Sequence, residues 1–181
     1  MKKFAIGMLS AMVVACFAVA AMAQRNPRGK TTLTLNGKTI SVDYGRPALK
    51  GRTIDDPTLL GKLKAGGFWR MGDNTSTTFK TEGDLAFGDV TVPAGEYSIW
   101  MQRQADNSWK LLFDKQHGQS GEPVPNASEC FASVPLQVSG PHDGRPQEML
   151  TIALDSTKDD LGGWIDIQWG TLEARVFFAP K

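Results

Sequence analysis

Between Val42 and Phe79 the chain gathers most of its candidate chemistry: Asp43-Tyr44-Gly45-Arg46-Pro47, then Lys50-Gly51-Arg52, then Trp69-Arg70-Met71-Gly72-Asp73-Asn74. Arg46, Arg52 and Arg70 are planar, permanently charged forks that match carboxylate or phosphate oxygens, and Tyr44 and Trp69 carry flat faces on which a sugar or organic ring can stack. With Asp43, Asp73 and Asn74 as further donors and acceptors, these residues describe a pocket for a small polar or carbohydrate ligand. They also admit an architectural reading. Arg70 or Arg46 then pairs with Asp43 or Asp73, Trp69 plugs one end of the core, and the glycines serve tight turns.

The catalytic inventory is poor. There is no Gly-x-Ser-x-Gly elbow, His-Glu-x-x-His, phosphate-binding Walker loop, Gly-x-Gly-x-x-Gly or Cys-x-x-Cys. Outside the N-terminal segment the histidines are His117 and His142, both in turn-like sequence; His117 near Ser120, or His142 beside Asp143, would need geometry to become a triad. Asp155, Thr157, Asp159 and Asp166 follow a calcium-loop spacing, but Asp160 stands where the sharp turn demands glycine, so no metal is expected. Glu82 and Asp84 could do acid/base work only at a separation the sequence does not state. The expectation is a non-catalytic binding module without a cofactor, for a small polar ligand or an envelope protein. A hydrolase using Asp43, Asp73 or a histidine as base is the alternative, and a structural or assembly module acting through an exposed strand edge is a third.

The elements that must position these side chains read as strands. Residues 31–35 and 38–44 flank Asn36-Gly37, which accepts positive φ at both central positions of a type I′ turn, so a hairpin is predicted. Tyr97, Ile99 and Met101, then Trp109, Leu111 and Phe113, alternate with their neighbours across a turn near Asp106-Asn107. The period of two returns in Leu150, Ile152 and Leu154, in Ile165, Ile167 and Trp169, and in Leu172, Ala174, Val176 and Phe178. One buried and one wetter face per strand predicts a mainly β domain, an antiparallel β-sandwich. Residues 56–63 alone suggest a short helix in a connection, with Asp56 as N-cap, Pro57 at the first helical position, and Leu59, Leu60 and Leu63 on one side. Residues 116–133, rich in Pro, Gly and Ser, make the longest irregular stretch.

The order Val-Asp-Tyr-Gly-Arg-Pro from Val42, then Lys50-Gly51-Arg52, Trp69-Arg70-x-Gly72-x-Asn74, Asp84-Leu85 and Pro93-Ala94-Gly95-x-Tyr97 resembles the bacterial family called domain of unknown function 2911. With Trp109-Lys110-Leu111-Leu112-Phe113 before an Asp-Lys pair, the resemblance covers residues 30–115 well and the remainder more loosely. It implies an exported, mainly β domain with no established activity or catalytic residues. Asp73 replaces an alanine usual in the family, and Lys64 to Phe68 replace a Pro-Tyr pair before the Trp-Arg. Both departures fall at the candidate site.

Lys2 and Lys3, the apolar run from Phe4 to Ala20, and Ala21-Met22-Ala23 predict a secretory signal peptide over residues 1–23, cut between Ala23 and Gln24. The run is too short, and too plainly followed by a cleavage site, for a retained span of a roughly 30 Å hydrocarbon core, so no transmembrane helix is expected in the mature chain. Val13-Val14-Ala15-Cys16 offers a second outcome, a lipoprotein acylated at Cys16, although the apolar stretch continues beyond it. Cleavage after Ala23 leaves residues 24–181, the size of one domain burying about 70% of its unfolded surface. It also turns the formal charge from +1 to −1, which argues against nucleic acid as a partner, and leaves Cys130 without an intrachain disulfide partner. An exported, periplasmic address disfavours ATP or NAD chemistry as well.

Overall fold

The computed structural model describes residues 26–61, 63–119, 130–140 and 144–181. The predicted signal segment with Cys16 and the expected Ala23–Gln24 junction, Ser120 and His142 lie outside the described residues. The strands among the described residues are β1 (Arg28–Leu35), β2 (Lys38–Gly45), β3 (Phe68–Trp69), β4 (Thr78–Thr81), β5 (Leu85–Phe87), β6 (Val90–Val92), β7 (Gly95–Arg103), β8 (Trp109–Asp114), β9 (Ala132–Ser139), β10 (Gln147–Ser156), β11 (Gly163–Gly170) and β12 (Leu172–Pro180). They pair in the order β1-β2-β4-β7-β8-β9-β12-β11-β10, with β3 on the edge of β7 and the β5–β6 ribbon on β12. Every pairing is antiparallel.

Asn36 and Gly37 adopt φ of 49° and 71°, and the β1–β2 register closes on Leu35 opposite Lys38, as the type I′ turn requires. Ile40, Val42 and Tyr44 then face inward, as do Ile165, Ile167 and Trp169 on β11. The core centres on Phe79, Phe87, Phe113 and Phe178, whose rings lie 5.2–6.4 Å apart in edge-on or tilted pairs. Such contacts add to the area each ring buries. β7 departs from the expected alternation, because Ser98 and Trp100 on its other face are also buried. Trp100 Nε1 donates to Ser98 Oγ at 3.0 Å, which satisfies the indole away from water.

The strands form one continuous curved sheet instead of two facing sheets, so the expected sandwich becomes a nearly closed barrel in which β1 and β10, the ends of the strand order, pack together. Alternation cannot separate the two outcomes, since both bury one face of every strand. The closure uses side chains and loop backbone where a ladder would stand. The Tyr44 hydroxyl accepts from the Ile152 N–H at 2.9 Å and donates to the Ile152 carbonyl at 3.2 Å. Arg46 Nε donates to Leu150 O at 3.2 Å, the Leu150 N–H to Pro47 O at 3.0 Å, and the Leu154 N–H to Thr31 Oγ1 at 3.3 Å. The edge of β10 is thereby covered without another strand. Gly29 makes this possible: a Cβ there would stand 2.7 Å from Arg46 Cδ and 2.9 Å from Tyr44 Cζ, so its bare backbone lets both side chains cross β1.

Where a helix is expected over residues 56–63, residues 56–61 form a run of turns. Asp56 does cap, its Oδ1 accepting from the Thr58 N–H at 2.8 Å and the Thr58 hydroxyl at 2.6 Å. The bonds that follow are short-range: the Leu59 N–H to Asp56 O at 2.8 Å and the Leu63 N–H to Leu60 O at 2.9 Å. Gly61 sits so tightly on the preceding turn that a Cβ would fall 1.8 Å from Asp55 O. A segment this short carries the nucleation cost of a helix with little propagation to offset it, and here the leucines are held by packing instead. No helix among the described residues is long and apolar enough to cross a membrane.

Candidate functional site

The chain between β2 and β4 runs as a strap along the barrel end where β2 and β7 finish. It is tied down by the Gly66 N–H on Arg103 O at 2.7 Å, Arg103 NH1 on Leu63 O at 2.9 Å, and the Leu49 N–H on Glu148 O at 2.9 Å. Between strap and barrel lies a cleft of about 360 Å³. Arg52 and Thr58 stand on its strap side, and Trp69, Arg70 and Asp73 follow from β3. Its deep wall includes Trp169, which stacks on Trp69 with centroids 5.6 Å apart and planes 12° from parallel. The Trp169 Nε1–H is buried and has no acceptor among the described residues.

The strap residues are held rigidly. Arg52 donates from Nε to Leu49 O at 2.9 Å, from NH1 to Thr58 Oγ1 at 3.0 Å and from NH2 to Ala48 O at 3.5 Å. Asp73 accepts from Asn26 Nδ2, from the Asn74 N–H at 2.7 Å, and from Arg70 NH2 at 3.4 Å. Met71 and Asn74 take positive φ of 48° and 65°, turning the backbone around Asp73. Gly45 supplies the room, since a Cβ there would stand 2.2 Å from Asp73 O.

Four of the sequence candidates, Arg52, Trp69, Arg70 and Asp73, therefore line one cleft, and Asn74 adjoins it through its N–H on Asp73. Tyr44 and Arg46 lie at the barrel closure, with the Tyr44 hydroxyl engaged twice by Ile152. Asp43 is on the outer surface in an ion pair with Arg28. Sequence reasoning missed Asn26, Thr58, Phe68 and Trp169 as lining residues. Trp169 continues the inward series of Ile165 and Ile167 and so reads as core, while Asn26 belongs to no motif. The apolar spacing of Leu59, Leu60 and Leu63 was a usable signal for a wall, though of the wrong element.

His117, Cys130 and the carboxylates of the calcium-type spacing do not line the cleft. His117 Nδ1 lies 3.3 Å from Glu96 Oε1 on the surface. Cys130 is partly buried next to Phe131, which stacks on Tyr97 at 4.9 Å. Among the described residues no three His, Cys, Asp or Glu side chains gather as metal ligands. Of the calcium-type spacing, Asp159 accepts from Thr157 Oγ1 at 2.5 Å within the β10–β11 turn, whereas Asp166 pairs with Arg175 at 3.2 Å on the strands.

Burial pushes the Asp166 carboxyl above the ordinary 3.8; Arg175 opposes the rise, and Asp155 and Glu173 add to it. A raised carboxylate binds its proton more tightly folded than unfolded, so its contribution is most favourable below the ordinary pKa and declines as pH climbs through the raised one. Asp166→Asn should accordingly compare best with wild type at neutral pH. The difference in melting temperature, mutant minus wild type, is expected to move in the mutant's favour between about pH 3 and about pH 7. A difference that is flat or moves the other way would show that the Arg175 ion pair outweighs burial.

Architecture and site together define a nearly closed antiparallel β-barrel with one end strapped over and indented by a cleft. The chain belongs to the family described as protein of unknown function (DUF2911), whose family model matches residues 26–178. The match runs beyond residue 115 and takes in β9 to β11 and nearly all of β12. No curated protein and no solved structure matches the chain.

Proposed function

We propose that this is an exported, non-catalytic binding module, released to the periplasm after Ala23, whose ligand is a small molecule seated between strap and barrel. The observation that carries this reading is the convergence of Arg52, Trp69, Arg70 and Asp73 on one cleft of about 360 Å³. That volume lies at the small end of ligand sites, about 300–1,000 Å³. The cleft joins fixed polar groups to apolar walls, which is the usual composition of such sites. The buried Trp169 Nε1–H beside it is a donor for which the described residues provide no acceptor. A hydrolytic role draws less support, because both carboxylates put forward as bases are held by cations, Asp43 by Arg28 and Asp73 by Arg70.

Arg70→Ala tests the reading. The ion pair with Asp73 that it removes is partly exposed and long, at 3.4 Å, and itself contributes no more than about 1 kcal/mol of stability. Thermal-shift screening of small carboxylates, sugars and other envelope metabolites should yield a stabilising compound for wild type that the mutant loses. A large fall in melting temperature, with ligand response intact, would assign Arg70 to architecture.

A further inference from the structure

What the cleft would hold follows from which of its groups are already engaged, and the inference rests on the reading that the cleft binds a small ligand. Its aromatic faces are largely taken. Trp69 and Trp169 stack on each other and are 8% and 3% exposed, which leaves little flat surface for a sugar ring. The walls that still meet solvent are aliphatic or benzyl: Leu59, Leu60, Leu63 and Phe68 line the cleft and are only partly buried. Covering them is favourable in proportion to the apolar area removed from water.

The charges are not balanced in the same way on the two sides. Arg70 has its counter-charge in Asp73. Arg52 is oriented by neutral acceptors alone, Leu49 O, Thr58 Oγ1 and Ala48 O, and it forms no ion pair among the described residues. Those bonds use three of the five N–H donors of a guanidinium. Asp56 makes no direct ion pair with it and is bridged to it by the Thr58 hydroxyl; the two hydrogen bonds from Thr58 hold that carboxyl below its ordinary value, and the charge of Arg52 adds the smallest of the contributions. A pre-oriented, half-buried cation with donors in hand beside an apolar wall is complementary to a molecule that is anionic at one end and apolar along the rest.

We infer that the cleft takes a single-chain amphiphile with a carboxylate head, the head against Arg52 and the apolar chain along Leu59, Leu63 and Phe68. A cleft of about 360 Å³ has room for one short chain and not for a two-chain lipid.

Octanoate, octylammonium and octyl glucoside share a tail and differ in the head, and each can be titrated into the whole chain below its micelle-forming concentration. Trp69, Trp100 and Trp169 line the cleft, so indole emission reports occupancy. Octanoate should half-saturate at a concentration at least about tenfold lower than octylammonium, the discrimination of one charge-assisted hydrogen bond. Arg52→Gln should erase that preference and Arg52→Lys should restore part of it. The wild-type series decides the question even if Arg52→Gln loosens the strap. Equal binding of all three heads, or binding of octyl glucoside or maltotriose in preference to octanoate, would overturn the anionic head and leave a ligand-binding cleft standing. Absence of any response to these compounds and to the wider metabolite screen would overturn both.

Discussion

Replacing Tyr44 by Phe is expected to lower stability by about 2–4 kcal/mol, although the ring and its packing are retained. The hydroxyl is the partner of both the N–H and the carbonyl of Ile152, and both residues are buried. Each backbone group left without a partner costs about 1–3 kcal/mol. No cavity opens, so the loss isolates the two hydrogen bonds from the apolar contribution of the ring. In urea the midpoint should fall with an unchanged slope, and melting should drop by roughly 5–15 °C. A loss below about 0.5 kcal/mol would mean that water replaces the hydroxyl at the closure, and that the closure is wetter than its burial implies.

Gly45→Ala is expected to be comparably severe for a different reason. Its Cβ would lie 2.2 Å from Asp73 O and 2.7 Å from Asp73 N, which are backbone atoms with no rotamer to relax into. Overpacking of this kind costs about 1–3 kcal/mol and more where backbone must shift. Moving Asp73 also moves the acceptor that holds Asn26, Asn74 and Arg70, so the cleft is reshaped as the fold is strained. Unfolding in urea would read the stability loss, and any ligand found by screening should weaken at the same time. Full stability with weakened binding would show that the Asp73 turn adjusts cheaply. The Gly45–Asp73 contact would then matter to the cleft alone.

The strands were legible in the residues because their cause is local. Asn36-Gly37 specifies a turn whose backbone only such residues adopt, and the inward series of β10, β11 and β12 follows directly from alternation. How the sheet closes was not legible, because closure depends on Tyr44 reaching Ile152, a pairing 108 positions apart that no window on the chain contains. The error over residues 56–63 has a similar origin. Asp56, Pro57 and the leucines satisfy the rules for starting a helix, and only the packing of Gly61 on Asp55 shows why it does not continue. At the site, the residue types were visible but their destinations were not. Tyr44 and Arg46 stand one and three residues after Asp43 in a single motif, yet strand alternation and the end of β2 send them to the closure while Asp43 goes to the surface.

The closure between the two ends of the strand order also sets a timetable for the chain. β1, β2, β4, β7, β8 and β9 can pair in chain order, and β5 with β6, but Tyr44 and Arg46 must wait for β10, and the second edges of β9 and β5 must wait for β12. Contacts of such long sequence separation form late and slowly. A polypeptide emerging from its N-terminus would therefore hold an unfinished sheet, open along β1, until nearly its last residue appeared. The export proposed for this chain would be well served by that delay.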